Sequence, residues 1–196
     1  MNFVSTILVS LFFIYAVNAV KERNPGVRRR QLKKGKKDHG QFQRLGGGNN
    51  LRNSQERTGT FMMVLSPSQE TTPCDSNAMG SGVFSYKNGM LCAHITYNGL
   101  KNGDVENRSH IHGPSEIGET YTETILAFYD QTMTDGLPGG NKSRCYDLSE
   151  VDDAKGYDEG TVEDWLFDGL LNVNIHTKLC DKGELRGQII LISGDD

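Results

Sequence analysis

The dipeptide Asn88-Gly89 constrains the fold of this chain more than any other feature. It lies between two runs of alternating character, Gly82 to Tyr86 and Met90 to Tyr97. A two-residue Asn-Gly loop is the preferred type I′ turn, because its backbone twist matches that of the strands it joins. A loop of that length also sets the register. Tyr86 stands opposite Leu91, Phe84 opposite Ala93 and Gly82 opposite Ile95. With Tyr97 they form one apolar face, while Val83, Ser85, Cys92 and His94 fall on the other. A slip of one residue would turn the aromatic face to water. The hairpin therefore demands a sheet with one buried side.

The rest of the chain supplies more short strands. Thr60 to Leu65 reads as a strand stopped by Ser66-Pro67, and Thr124 to Tyr129 as another. Ser109-His110-Ile111-His112-Gly113-Pro114 reads as a strand after the turn-rich stretch Gly99 to Asn107. Leu170 to Thr177 and Glu184 to Ile192 form a closing pair joined at Lys182-Gly183. Asp130 to Gly160 is long, acidic and glycine-rich, which predicts a surface loop tied down through Cys145. Thr161 to Gly169 predicts the single short helix, capped by Thr161, with Asp164 at the capping-box position and Gly169 at its end. Many short strands and one helix indicate an all-β, antiparallel sandwich or Greek-key barrel.

The segment before Thr58 is of a different kind. Residues 1–19 carry an apolar run from Phe3 to Val17 and end in Val17-Asn18-Ala19, as in a secretory signal peptide. The run is shorter than the ~20 residues needed to span a bilayer. Residues 20–57 hold twelve basic residues against three acids, a net of +9, whereas the remainder to Asp196 carries −13. A basic segment with few apolar residues and no period should be disordered. It suits docking to an anionic surface or polysaccharide, removal as a propeptide near Arg30, or a solvated linker. An outward-bound chain excludes a nuclear or nucleic-acid role.

Secretion makes Cys74, Cys92, Cys145 and Cys180 candidates for two disulfides. Three connectivities are open; Cys74–Cys92 with Cys145–Cys180 is the preferred one. The absence of any Cys-x-x-Cys spacing argues against a structural zinc cluster. Asn107-Arg108-Ser109 and Asn141-Lys142-Ser143 are glycosylation sequons.

The candidate chemistry lies in histidines. Side chains alternate along a strand, so His110 and His112 share one face and Ile111 takes the other. In Asn172-Val173-Asn174-Ile175-His176-Thr177, Asn172, Asn174 and His176 share a face. If the two strands are neighbours, three imidazoles can meet, and imidazole is a good ligand for copper or zinc. The plainer alternative is that these histidines hydrogen-bond to backbone and stabilise the strand junction. Asn174, Glu184 and Arg186 are candidates for orienting the ligands from behind. For Glu184 and Arg186 an ion pair or a backbone clamp is the simpler role. His94 reads as a lone surface histidine and His39 as part of the basic segment. Glu150, Asp152, Asp153, Asp158 and Glu159 could bind calcium weakly, but without the EF-hand pattern they read as a solvated loop. No nucleophile elbow, phosphate loop or Ser/His/Asp arrangement is present.

Several of these stretches together resemble the CHRD (chordin-type) domain family. They are Leu65-Ser66-Pro67-Ser68-Gln69-Glu70, Gly80-Ser81-Gly82, Tyr97-Asn98-Gly99-Leu100, His110-Ile111-His112-Gly113-Pro114, Asn174-Ile175-His176-Thr177 and Gly183-Glu184-Leu185-Arg186-Gly187-Gln188-Ile189. The resemblance spans residues 58–192 and implies an extracellular immunoglobulin-like β-sandwich. The family has no established catalytic activity. This chain departs from the usual pattern at Ser109, at Asn172, in the long acidic loop and in its four cysteines. A second similarity is to copper–zinc superoxide dismutase, also a Greek-key sandwich. There a His-x-His strand and a later strand histidine hold copper, and His110, His112 and His176 are similar in order and spacing type. No histidine lies between Gly113 and Ile175 to serve as the bridge, so a mononuclear site is the most this similarity implies.

The expectation is thus a secreted chain in three parts: a signal peptide at 1–19, a basic segment at 20–57 and a CHRD-like domain at 58–196. It would act as a non-enzymatic extracellular binding or matrix module, requiring no cofactor. Its partner would be an anionic surface, a polysaccharide or an extracellular protein. The competing expectation is a mononuclear copper- or zinc-binding protein or enzyme using His110, His112 and His176.

Overall fold

A computed structural model describes residues 57–120, 123–129 and 140–195. The expected signal peptide at 1–19, the basic segment up to residue 56 and the loop tip at 130–139 lie outside the described residues.

Among the described residues nine strands form two antiparallel sheets. They are β1 (Thr58–Leu65), β2 (Met79–Lys87), β3 (Met90–Asn98), β4 (Glu106–His112), β5 (Thr124–Tyr129), β6 (Gly140–Asp147), β7 (Asn172–Thr177), β8 (Leu185–Gln188) and β9 (Ile190–Asp195). The order is β6-β3-β2-β1-β9 in one sheet and β5-β4-β7-β8 in the other. The fold is the all-β antiparallel sandwich that the strand pattern predicts.

The β2–β3 hairpin forms in the predicted register, with Tyr86 opposite Leu91, Phe84 opposite Ala93 and Gly82 opposite Ile95. Asn88 and Gly89 have φ of 51° and 79°, the left-handed values that a type I′ turn needs at both positions. Phe84, Tyr86, Leu91, Ile95 and Tyr97 are buried, and Val83 and His94 are exposed. From the facing sheet Ile111, Val173, Ile175 and Leu185 complete the core.

Residues 184–192 are two strands and not one. β8 pairs with β7, while β9 pairs with β1 in the other sheet. Ile189 lies between them, fully buried, and its N–H donates to the Leu171 carbonyl at 2.9 Å. The cause is close contact between the sheets. Ser66 and Arg186 exchange backbone hydrogen bonds at 3.0 and 3.3 Å. A Cβ on Gly187 would stand 2.4 Å from the Val64 carbonyl oxygen. Only glycine lets β8 approach β1 so nearly, and the chain leaves one sheet for the other there.

Two further expectations are corrected. The acidic stretch expected as a loop contains β6 and a helix, α1 (Leu148–Lys155), so the described residues hold two short α-helices where one was expected. The Asp147 carboxylate caps α1 by accepting from Ser149 N–H at 2.9 Å, and Gly156 closes it in the left-handed conformation. The second helix, α2 (Thr161–Phe167), begins one residue earlier than predicted, with Gly160 at the cap. Its side-chain cap comes from α1. The buried Asp152 carboxylate accepts from Gly160 N–H at 2.8 Å and Val162 N–H at 3.0 Å. That commits Asp152 to the fold. Asp152→Ala leaves two amides without their acceptor and should lower stability by ~2–3 kcal/mol, read by urea denaturation. A loss below ~0.5 kcal/mol, the size of an ordinary surface substitution, would contradict this role.

The disulfides are Cys74–Cys180 and Cys92–Cys145, not the pairing preferred from sequence. The β3–β6 register sets Cys92 directly opposite Cys145, and β6 was hidden in the presumed loop. Arg57, the last residue of the basic segment, lies 3.1 Å from Asp164 and stacks on the Phe167 ring. Among the described residues no helix is long and apolar enough to cross a membrane.

Candidate metal centre

β4 is an inner strand, flanked by β5 and β7. Ile111 is fully buried in the core, so His110 and His112 project from the opposite, outer face of the sheet. The β4–β7 register pairs His110 with Asn174, His112 with Asn172 and Arg108 with His176. His176 is therefore a diagonal neighbour of His110. The ring centroids are 5.4 Å apart for His110 and His112, and 5.6 Å for His110 and His176. One ring nitrogen from each residue lies within 4.8 Å of the other two. A tetrahedral ion with bonds near 2.0 Å would draw such atoms to ~3.4 Å from one another. A closing movement of about 1 Å, within side-chain reach, would therefore seat one ion.

Hydrogen bonding fixes the rings in a ligating tautomer. His112 Nδ1 lies 2.9 Å from the Glu123 carbonyl oxygen, and His176 Nδ1 lies 2.9 Å from that of Asp181. A carbonyl only accepts, so both rings carry their proton on Nδ1 and keep the Nε2 lone pair. This is the backbone support common behind metal-bound histidines. His176 Nε2 is buried with no hydrogen-bond partner, as is Asn174 Oδ1 two residues away on the same face. Burial drives the His176 pKa down to about 4 and lowers that of His112, so both rings are neutral at pH 7, as a ligand must be.

The other expected residues serve the frame. The Arg186 guanidinium donates to the Glu119 carbonyl at 2.7 Å and approaches the Ser115 hydroxyl at 3.4 Å. Asn172 and Gln188 also reach Ser115, at 2.9 Å each. These bonds hold the loop after Pro114 across the outer face, beside the histidines. Glu184 is fully buried and accepts from Ser76, Lys101 N–H and Thr177. It secures the loops around the histidines and hydrogen-bonds to none of the three rings. Asn174 donates to Glu70 at 2.6 Å. A Cβ on Gly183 would lie 2.4 Å from Glu70 Oε1 and 2.5 Å from Asn174 Nδ2, so glycine is needed for this pair to meet. Asn107 is half-buried in β4, while Asn141 is exposed on the edge strand β6. His94 is exposed, with its Nδ1 2.6 Å from the Ser143 hydroxyl.

Sequence reasoning gave no role to Glu70, Ser115, Glu123 or Asp181. Glu123 and Asp181 support the rings through backbone carbonyls, which no side-chain pattern encodes. Glu70 lay within a quoted family stretch, but its partner Asn174 is 104 residues away.

Burial raises the Glu70 pKa to about 7, against the partly opposing attraction of Arg186. In metal-free protein this opposes the histidine effect. The His176 value is depressed from 6.5 to about 4, so the unfolded chain holds more protons in that window and stability falls as pH drops through it. The Glu70 value is raised from 4.5 to about 7, so the folded chain holds the extra proton and stability falls as pH rises through that window. Glu70→Gln should expose the histidine slope. With chelator present, the variant's unfolding free energy should climb more steeply than wild type between pH 4.5 and 6.5. Parallel profiles would contradict the assignment.

Residues 61–189 match the family model of the CHRD domain. No curated protein and no solved structure matches the chain. That match spans both sheets, from β1 to the corner after β8, and includes all three histidines, so the chain belongs to the CHRD domain family.

Proposed function

We propose that this CHRD protein is a secreted extracellular binding module whose histidine face holds one copper or zinc ion. The observation that carries the reading is the convergence of His110, His112 and His176, with two of the rings fixed through Nδ1 by backbone carbonyls. Three imidazoles suit either metal and leave a coordination position open. Among the described residues no further histidine, cysteine or acid joins the group, so the site is mononuclear. The family and the two disulfides are compatible with an extracellular protein. X-ray absorption of zinc-loaded protein should give three imidazole nitrogens at about 2.0 Å. A shell of oxygens alone would count against the site.

The charge asymmetry favours a second, compatible role. Residues 20–57 carry +9 and the domain −13, so the basic segment would dock to an anionic glycan surface while the domain stays in solution. Retention on heparin should fall steeply with salt and disappear when residues 20–56 are deleted. Retention that ignores salt would contradict it.

A further inference from the structure

A different face of the molecule, on the outer side of the five-stranded sheet, holds a second site. Cys145 is exposed on the edge strand β6, and Cys92 is half-buried beside it on β3. A surface cavity of about 420 Å³ opens directly onto their disulfide, lined also by Val83, Ser85, His94 and Ser143. The other disulfide is less open: Cys180 is only 5% exposed, Cys74 is half-buried, and neither lines this cavity. A cavity of that volume accommodates a small molecule. Exchange at a disulfide requires a thiolate to reach one sulfur.

We propose that Cys92–Cys145 is a thiol–disulfide exchange site for a low-molecular-weight thiol. The reagent's thiolate attacks the sulfur of Cys145, the more exposed residue of the pair. A bond forms between the reagent sulfur and Cys145 while the Cys92–Cys145 bond breaks, and Cys92 leaves as a thiolate that takes a proton from solvent. The reagent sulfur is oxidised into the mixed disulfide as the Cys92 sulfur is reduced, so electrons balance. The adduct occupies the cavity, with the His94 and Ser143 side chains, themselves hydrogen-bonded, along its wall. Exchange also removes the covalent tie of β6 to β3. On β6, Tyr146 donates to the Ala127 carbonyl of β5 at 2.9 Å and Lys142 pairs with Glu106 at 2.7 Å. These contacts keep the edge strand in place once the disulfide is open.

The test exposes the oxidised full chain to reduced glutathione, quenches with iodoacetamide and maps the peptides by mass spectrometry. The expected product carries glutathione on Cys145 and alkylated Cys92, with Cys74–Cys180 intact, and it forms at least tenfold faster than any cleavage of Cys74–Cys180. Val83→Trp, an exposed position that fills the cavity, should slow the reaction several-fold. Its circular dichroism should match wild type. Equal rates at the two disulfides, glutathione on Cys92 in place of Cys145, or a Val83→Trp variant that reacts as fast as wild type would overturn the proposal.

Discussion

Glu184→Ala unfolds with a free energy ~3–5 kcal/mol below wild type, because it strips a buried anionic acceptor from three donors at once. The Ser76 hydroxyl lies 2.6 Å from Oε1, Lys101 N–H reaches the same oxygen at 2.5 Å, and the Thr177 hydroxyl lies 2.7 Å from Oε2. Two of these donors are relays. Ser76 Oγ accepts from Ala78 N–H at 3.1 Å, and Thr177 Oγ1 accepts from Cys180 N–H at 3.2 Å. One carboxylate thus gathers the loops on three sides of the sandwich's end. A hydrogen bond to a charged group is worth ~1.5–3 kcal/mol, and a donor left unmatched in the interior adds to the cost. For a domain of this size the melting temperature should drop by ~10–15 °C. Glu184→Gln keeps one acceptor oxygen and should lose about half as much. A Glu184→Ala variant within ~1 kcal/mol of wild type would contradict the clamp, since that is the usual effect of an ordinary substitution. The clamp also bears on the proposed metal site, because the loop it holds carries Asp181, whose carbonyl orients His176.

This clamp shows what the sequence could and could not reveal. Period-two alternation and the Asn88-Gly89 turn determine one hairpin's register, because local geometry decides it. The histidine face is legible for the same reason, since His110, Ile111 and His112 must alternate. A clamping role for Glu184 is legible but its partners are not, and Glu70 carries no legible role. Each depends on partners that only the tertiary fold brings near, such as Ser76, 108 residues from Glu184. The helix α1 is an intermediate case. Asp147 as its cap with Glu150 three residues on is a start signal present in the sequence, but the reading of the acidic, glycine-rich stretch as a loop did not use it. Missing β6 had a further cost. Without it Cys145 had no strand partner, and the disulfides were paired wrongly. At Gly187 the glycine was visible, but the close approach of β8 to β1 that requires it was not.

His176→Ala produces the second large effect, a loss of metal affinity exceeding ~100-fold. Removing even an outer partner of a ligand costs ~10–100-fold, and His176 would be a ligand itself. Its lone pair at Nε2 is buried and unmatched, and no other described histidine lies near enough to replace it. Asn174→Ala removes the neighbouring acceptor, together with the donor to Glu70, and should cost about 10-fold. The pH profile separates this centre from a surface histidine cluster. Protons compete with the metal for Nε2, and a lowered pKa weakens that competition. With the His176 value near 4 and that of His112 also lowered, zinc should stay bound at pH 5.5, where ordinary imidazole is mostly protonated. Release should come as the pH falls towards 4. Release centred at the ordinary imidazole value of ~6.5 would instead indicate exposed, unsupported rings.

The proposed role of the outer face of the β4–β7 pair is to hold one ion. Its most direct test is the metal content of the purified full chain after loading with copper or zinc and exhaustive dialysis, beside a variant carrying alanine at His110, His112 and His176. The wild type should retain one ion per chain and the triple variant none, with both proteins folded and both disulfides formed. No retained metal in the wild type, or equal metal in the two proteins, would contradict it.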